Sequence, residues 1–113
     1  MVRKCDILIT LNQEAVEKNV KDLKKGGTLL VDSSIIKTLP RIDATILEIP
    51  ATQTSEESYG EKLYANMIVL GALARATHIV NEKSMEKAIE ETVAAKSAET
   101  NKRAYKKGLE LIQ

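Results

Sequence analysis

From Leu63 to Ala74 the chain reads Leu-Tyr-Ala-Asn-Met-Ile-Val-Leu-Gly-Ala-Leu-Ala, with no charge and with Asn66 as the one strongly polar side chain. At a period of 3.6 residues such a run has no water-facing side, and a helix that is apolar all round is buried all round. A small domain rarely has enough structure of its own to enclose it. The run therefore predicts a missing half or a partner subunit. The helix it predicts extends from about Glu61 to Thr77.

The rest of the chain carries ordinary periodicities. Ile7, Leu8, Ile9 and Leu11 place apolar groups on both faces of a strand over Asp6–Leu11, as in a central parallel strand covered on both sides. Asn12 follows as an N-cap. Ala15, Val16, Val20 and Leu23 recur at helical spacing, predicting a helix over Gln13–Lys24 that Gly26-Gly27 ends in a left-handed cap. Thr28–Val31 is a second strand, stopped by Asp32-Ser33-Ser34. Ile35–Arg41 is ambiguous, since Pro40 keeps any helix there short. Ala44–Ile49 is a third strand, closed by Pro50. Thr54 with Glu57 fits a capping box, so a short helical turn begins at Ser55 and ends at Gly60. Asn81 caps a further helix, with Val80 and Met85 as a hydrophobic staple and Met85, Ala88, Ile89 and Val93 facing inward. A last helix runs over about Lys96–Leu111, with Glu99 and Arg103 spaced as an i,i+4 pair.

Strands alternating with helices predict an α/β fold. The expected form is a partial three-layer domain with a small, mostly parallel sheet and a C-terminal helical section, residues 1–113 forming a single domain. Three strands with one clear crossover make a poor sheet. The first strand needs neighbours on both edges, so either the sheet pairs with another chain or its first strands lie on another polypeptide.

Composition narrows the classes. The net charge is +1, and Lys and Arg are interleaved with Glu and Asp, which argues against a nucleic-acid binder. There is no Trp or Phe, and Tyr59, Tyr64 and Tyr105 are scattered, so no base-stacking platform is expected. Cys5 is the only cysteine, which excludes an intrachain disulfide, suits the cytoplasm, and is too few for an iron–sulfur cluster. No signal-peptide pattern is read at the start. The apolar helix, about 18 Å long at 1.5 Å per residue, is too short for a bilayer.

The catalytic inventory is thin. His78 is the sole histidine and reads as a capping or surface residue near a helix end. No Ser-His-Asp set, metal cluster or glycine-rich phosphate loop is assembled, so no catalytic or metal-binding residue is assigned and cofactor-binding residues stay unknown. Asp32 at a strand end reads as a turn former rather than a ribose ligand. Asn12 stands at the carboxyl edge of its strand, where ligands bind parallel sheets, but helix capping accounts for it. Gly71 costs about 1 kcal/mol against Ala inside a helix, so another backbone comes close there. Asn66, if buried, must satisfy its amide, either within the chain or across a subunit interface. Asn12, Asn66 and Gly71 are the expected contact positions.

The same segments resemble a known family. Cys5-Asp6-Ile7-Leu8-Ile9-Thr10-Leu11-Asn12-Gln13-Glu14-Ala15, Gly26-Gly27 leading into Thr28–Val31 and Asp32-Ser33, and above all Ile49-Pro50-Ala51-Thr52, Gly60 and Ala65 through Leu73 are similar to the gamma subunit of 2-oxoacid:ferredoxin oxidoreductases. Lys96 through Glu99, Asn101 to Ala104 and Gly108 resemble that family's last helix. The Leu-Asn-Gln-Glu-Ala and Pro-Ala-Thr segments are most like the 2-oxoglutarate type. The resemblance implies a complex that oxidatively decarboxylates a 2-oxoacid to an acyl-coenzyme A and reduces ferredoxin. It implies thiamine diphosphate, iron–sulfur clusters and coenzyme A for the whole complex and none of them for this chain. It implies alpha, beta and delta subunits as partners; a homodimer in isolation belongs to the self-associating reading given below. The family's opening strand and glycine-rich turn have no counterpart here, so the likeness is to the C-terminal part. Two readings of other classes stand beside it. One is a small nucleotide- or coenzyme A-binding module lined by Asn12, Asp32 and Ser33. The other is a self-associating scaffold.

Overall fold

The computed structural model describes residues 5–10, 12–39, 41–78, 80–92 and 95–112, which form two compact units, residues 1–50 and 51–113. Leu11, Pro40 and Val93 lie outside the described residues.

The first unit is β1 (Cys5–Thr10), α1 (Gln13–Asn19), β2 (Leu23–Asp32) and β3 (Thr45–Ile49). The three strands form one parallel sheet in the order β1-β2-β3. The expected α/β class with a small parallel sheet and a C-terminal helical section is what the chain adopts. Leu8 and Ile46 both stand in register with Leu29. This row helps form a cluster of Val16, Leu29, Val31 and Ile36, with Leu23, Leu39 and Ile42 packed against it. Central β2 has Leu29, Leu30 and Val31 all at most 1% exposed, so the strand buried on both faces is β2. β1, expected to be central, is at the edge of the described sheet, and Ile9 is 37% exposed.

The helix expected to reach Lys24 stops at Asn19. A 3-10 turn over Val20–Asp22 follows, and Leu23 turns extended to pair with Cys5. Gly26-Gly27 is therefore no helix cap but part of β2. Gly26 takes φ +80° and donates its N–H to the Asp43 carbonyl at 2.6 Å. A Cβ at Gly27 would stand 2.7 Å from the Asp6 carbonyl oxygen, so glycine permits the register shift between Cys5 and Ile7.

The second unit is α2 (Ala51–Tyr59), α3 (Ala65–Thr77), α4 (Glu82–Thr92) and α5 (Ala95–Leu111). α2 begins directly after Pro50, four residues earlier than the expected start at Ser55. Thr54 is thus inside the helix, and Ser55 is buried, its hydroxyl donating to the Glu61 carbonyl and accepting the Tyr64 N–H at 3.1 Å. Gly60, at φ +75°, ends α2. The long apolar run divides into a 3-10 turn, Lys62–Tyr64, and α3. It is not enclosed all round: Leu63 is 73% exposed and Asn66 is exposed, while Ile68, Val69, Gly71, Ala72 and Ala74 are buried.

Asn81 caps α4 as expected, accepting the Ser84 N–H at 3.0 Å. Val80 and Met85 pack on a cluster of Ala74, Ile89 and Tyr105, together with Met67, Leu70 and Leu109. Ala88, expected inward, is exposed, because α4 offers α5 the narrower face that Met85 and Ile89 occupy. Arg103 does not close the expected pair with Glu99 but lies over the Tyr59 ring, 5.9 Å from its centroid.

Candidate functional site

Two regions hold the expected site residues. The first is the carboxyl edge of the sheet. Asn12 is exposed and caps α1, its Oδ1 accepting the Ala15 N–H at 2.7 Å. Asp32 is 1% exposed and shapes the turn after β2. Its Oδ1 accepts the Ser34 N–H at 3.0 Å, and its carbonyl accepts the N–H groups of Ile35 and Ile36 at 3.1 and 2.9 Å. The Ser33 N–H donates to the Ile49 carbonyl at 2.9 Å. The Gln13 side chain fastens the loop beyond, donating to the Thr38 carbonyl at 2.8 Å and accepting from the N–H groups of Lys37 and Thr38 at 3.1 and 3.2 Å. Local turn and cap chemistry thus occupies Asn12, Asp32 and Ser33. Thr10, at the same edge, is 2% exposed and its Oγ1 has no hydrogen-bond partner.

The second region is the crossing of α3 and α5. Asn66 and Gly71 share α3 but part company, Asn66 to solvent and Gly71 into the crossing. A Cβ on Gly71 would overlap the Tyr105 carbonyl oxygen and stand 3.0 Å from the Leu109 nitrogen. A Cβ on Gly108 would overlap the Ile68 carbonyl oxygen and stand 2.9 Å from the Ala72 nitrogen. The backbone that approaches Gly71 is therefore the chain's own α5. Gly108 is not among the expected contact positions, although a glycine in the interior of a helix carries the same signal as Gly71. Tyr105 was also missed: it is fully buried, and its hydroxyl donates to the Glu82 carbonyl at 3.0 Å.

Charge surrounds this crossing. Arg75 grips Glu82 in a fork, Nε to Oε2 at 2.8 Å and Nη2 to Oε1 at 3.0 Å. That grip holds the Glu82 carboxyl below its usual pKa, with a smaller contribution from the charge of His78, and raises that of Arg75. Lys102 does the same to Glu90 by hydrogen bond and charge. Burial raises the phenols of Tyr59 and Tyr105. His78 is exposed and ends α3 at φ 55°.

These directions fix a pH dependence. A carboxyl whose pKa is lower folded than unfolded stabilises the fold above the unfolded value of about 4.5, and that stability is lost as pH falls through the folded value. Glu82→Gln should therefore lower the urea midpoint at pH 7. The gap to wild type should close as pH drops from 4.5 through the folded pKa. An equal gap at pH 7 and at pH 2.5 would contradict the Arg75 linkage.

Among the described residues no group of three or more His, Cys, Asp or Glu is placed to hold a metal, and no helix is long and apolar enough to cross a membrane. Asn12, Gln13, Asp32, Arg75 and Glu82 are committed to caps, turns and an ion pair.

Residues 1–111 match the family model described as pyruvate ferredoxin/flavodoxin oxidoreductase. The chain is 42% identical over 114 residues to the 2-oxoglutarate synthase subunit KorC of Methanocaldococcus jannaschii, across 99% of this chain and 61% of that one. It thus spans about three-fifths of that curated relative's length. A solved keto/oxoacid ferredoxin oxidoreductase gamma subunit from Geobacter sulfurreducens superposes with a TM-score of 0.90 at 36% identity, over 95% of this chain and 63% of that one. A 2-oxoglutarate:ferredoxin oxidoreductase from Magnetococcus marinus, solved with 2-oxoglutarate, coenzyme A and succinyl-CoA bound, gives 0.82 at 26% identity, over 94% of this chain and 19% of that one. Matched in sequence over residues 1–111 and in fold over 95% of its length, the chain belongs to the pyruvate ferredoxin/flavodoxin oxidoreductase family.

Proposed function

We infer that this chain is the C-terminal portion of the gamma subunit, a single gamma domain in part, of a 2-oxoacid:ferredoxin oxidoreductase of the 2-oxoglutarate type. The observation that carries this is the 42% identity to a 2-oxoglutarate synthase subunit, sustained over 99% of the chain. The assembled complex oxidatively decarboxylates 2-oxoglutarate to an acyl-coenzyme A and passes the electrons to ferredoxin in the cytoplasm. Thiamine diphosphate and the iron–sulfur clusters reside on the other subunits. The donor set of this chain agrees, since one cysteine and one histidine do not fit a cluster that usually takes four thiolates.

The role of the chain is non-catalytic, a docking element for the alpha, beta and delta subunits. Leu63, with 73% of its surface exposed, and the exposed Asn66 are its contact positions, Asn12 a further one. Gly71 acts one step back, by holding α3 against α5. Co-expression with alpha and beta subunits tests the reading. The chain should co-elute with them, and the complex should reduce a viologen dye with 2-oxoglutarate and coenzyme A. Leu63→Lys should lower the recovered fraction while leaving the circular dichroism unchanged. A chain that elutes alone, or a complex equally active without it, sinks the proposal. Native mass spectrometry of the isolated chain reports whether it forms a homodimer instead.

A further inference from the structure

The outer side of α5 carries a second arrangement, independent of the assembly reading. A cleft of about 470 Å³ between α2 and α5 is lined by Ser58, Tyr59, Arg103, Lys106, Lys107 and Glu110. The cations beside Arg103 are matched: Lys102 faces Glu86 and Glu90, and Lys106, itself in the cleft lining, reaches Glu86 at 3.2 Å. Lys107 meets Glu110 at 3.6 Å, a long surface pair with little hold on either side chain. Arg103 is different. Among the described residues no carboxylate closes on it, and its guanidinium lies over the Tyr59 ring. Tyr59 is itself braced edge-on by Tyr64, with the ring centroids 5.5 Å apart.

A guanidinium at cation–π distance spends no N–H group on the ring, so its fork stays available to a bidentate oxyanion. Ser58 and Tyr59 line the same cleft and bring hydroxyl groups as further donors. Burial raises the Tyr59 phenol, so it keeps its proton at neutral pH and can donate. With Lys106 paired with Glu86 and Lys107 with Glu110, the charge left over in the lining is that of Arg103, which makes the cleft positive.

We propose that the α2–α5 cleft is a binding site for the phosphate group of a small phosphorylated molecule, with the Arg103 fork as its principal contact and the Ser58 and Tyr59 hydroxyls and Lys107 completing the seat. Arg103 is exposed, so its replacement leaves the fold intact.

The nitrogen-15-labelled chain, titrated with inorganic phosphate, phenyl phosphate or acetate at constant ionic strength, provides the test. Both phosphates should produce saturable shifts at the Arg103 Nε–H and at the Ser58 and Tyr59 amides, with acetate well behind. Arg103→Gln should weaken binding by at least about tenfold, the loss expected for a hydrogen bond to a charged group. Tyr59→Phe should weaken it less, since the ring beside Arg103 is retained. Acetate binding as tightly as phosphate, shifts that grow without saturating, or an unchanged titration in Arg103→Gln would each overturn the proposal. Co-purification with oxidoreductase subunits is read separately, so failure here leaves the family-based function standing.

Discussion

Gly71→Ala is expected to destabilise the helical unit, and Gly108→Ala to do the same. In an exposed helix interior each change would stabilise by about 1 kcal/mol, from the better propensity of alanine. Here the new Cβ meets backbone, not a side chain that can swing aside. At Gly71 the obstacles are the Tyr105 carbonyl and the Leu109 nitrogen, and at Gly108 the Ile68 carbonyl and the Ala72 nitrogen. The helices must separate, at a cost of about 1–3 kcal/mol or more for an overpacked contact. Gly71→Leu should go further, leaving helical circular dichroism but no cooperative thermal transition. The two glycines lie against one another's helices, so once one alanine has parted α3 and α5 the second costs less. The double variant should lose less than the sum of the singles. A rise in the urea midpoint for Gly71→Ala would show that the crossing is looser than described.

Tyr105→Ala is the second large effect. The side chain is fully buried among residues from three helices, with Ala74 and Ile89 in its cluster and Met67, Leu70, Met85 and Leu109 around it. Truncating a buried aromatic costs about 3–5 kcal/mol. That is a large part of the roughly 5–15 kcal/mol that holds a domain together. Tyr105→Phe separates the ring from its hydroxyl. It deletes only the bond to the Glu82 carbonyl, worth about 1 kcal/mol. Denaturant unfolding of the two variants should place nearly all of the loss with the ring. Equal losses would mean instead that the hydrogen bond to the start of α4 is what positions α5.

Local chemistry was legible where one side chain decides one backbone group. Asn12 and Asn81 cap the helices they precede, since a short acceptor at that position meets N–H groups that have no other partner. Gly60 ends α2 in the left-handed conformation for a similar reason. The errors came where a distant strand or helix competed for the backbone. Gly26-Gly27 looked like a helix cap, but pairing of Leu23 with Cys5 drew the preceding residues into β2. Ser55 looked like a helix start, but α2 was already under way from Ala51, and Ser55 instead ties Glu61 to Tyr64.

The contact positions divide in the same way. Composition marked Gly71 as a close approach, but not the helix that makes it. Asn66 stood out as the polar residue of an apolar run, and its exposure depended on where the run breaks into a 3-10 turn and a helix. Arg103 was read from spacing as a partner for Glu99. Only the approach of α2 set the Tyr59 ring beneath it and opened a cleft with an uncompensated cation.

By itself, then, the sequence determined where most strands and helices fall, that Asn12 and Asn81 cap the helices after them, and which family the chain resembles, because periodicity, caps and motifs act over a few residues. The tertiary structure decided which strand is central, that α5 occupies the surface of Gly71, and where charge is left over. Those outcomes depend on which distant backbone arrives first at a face or an unpaired edge, and no local pattern encodes that.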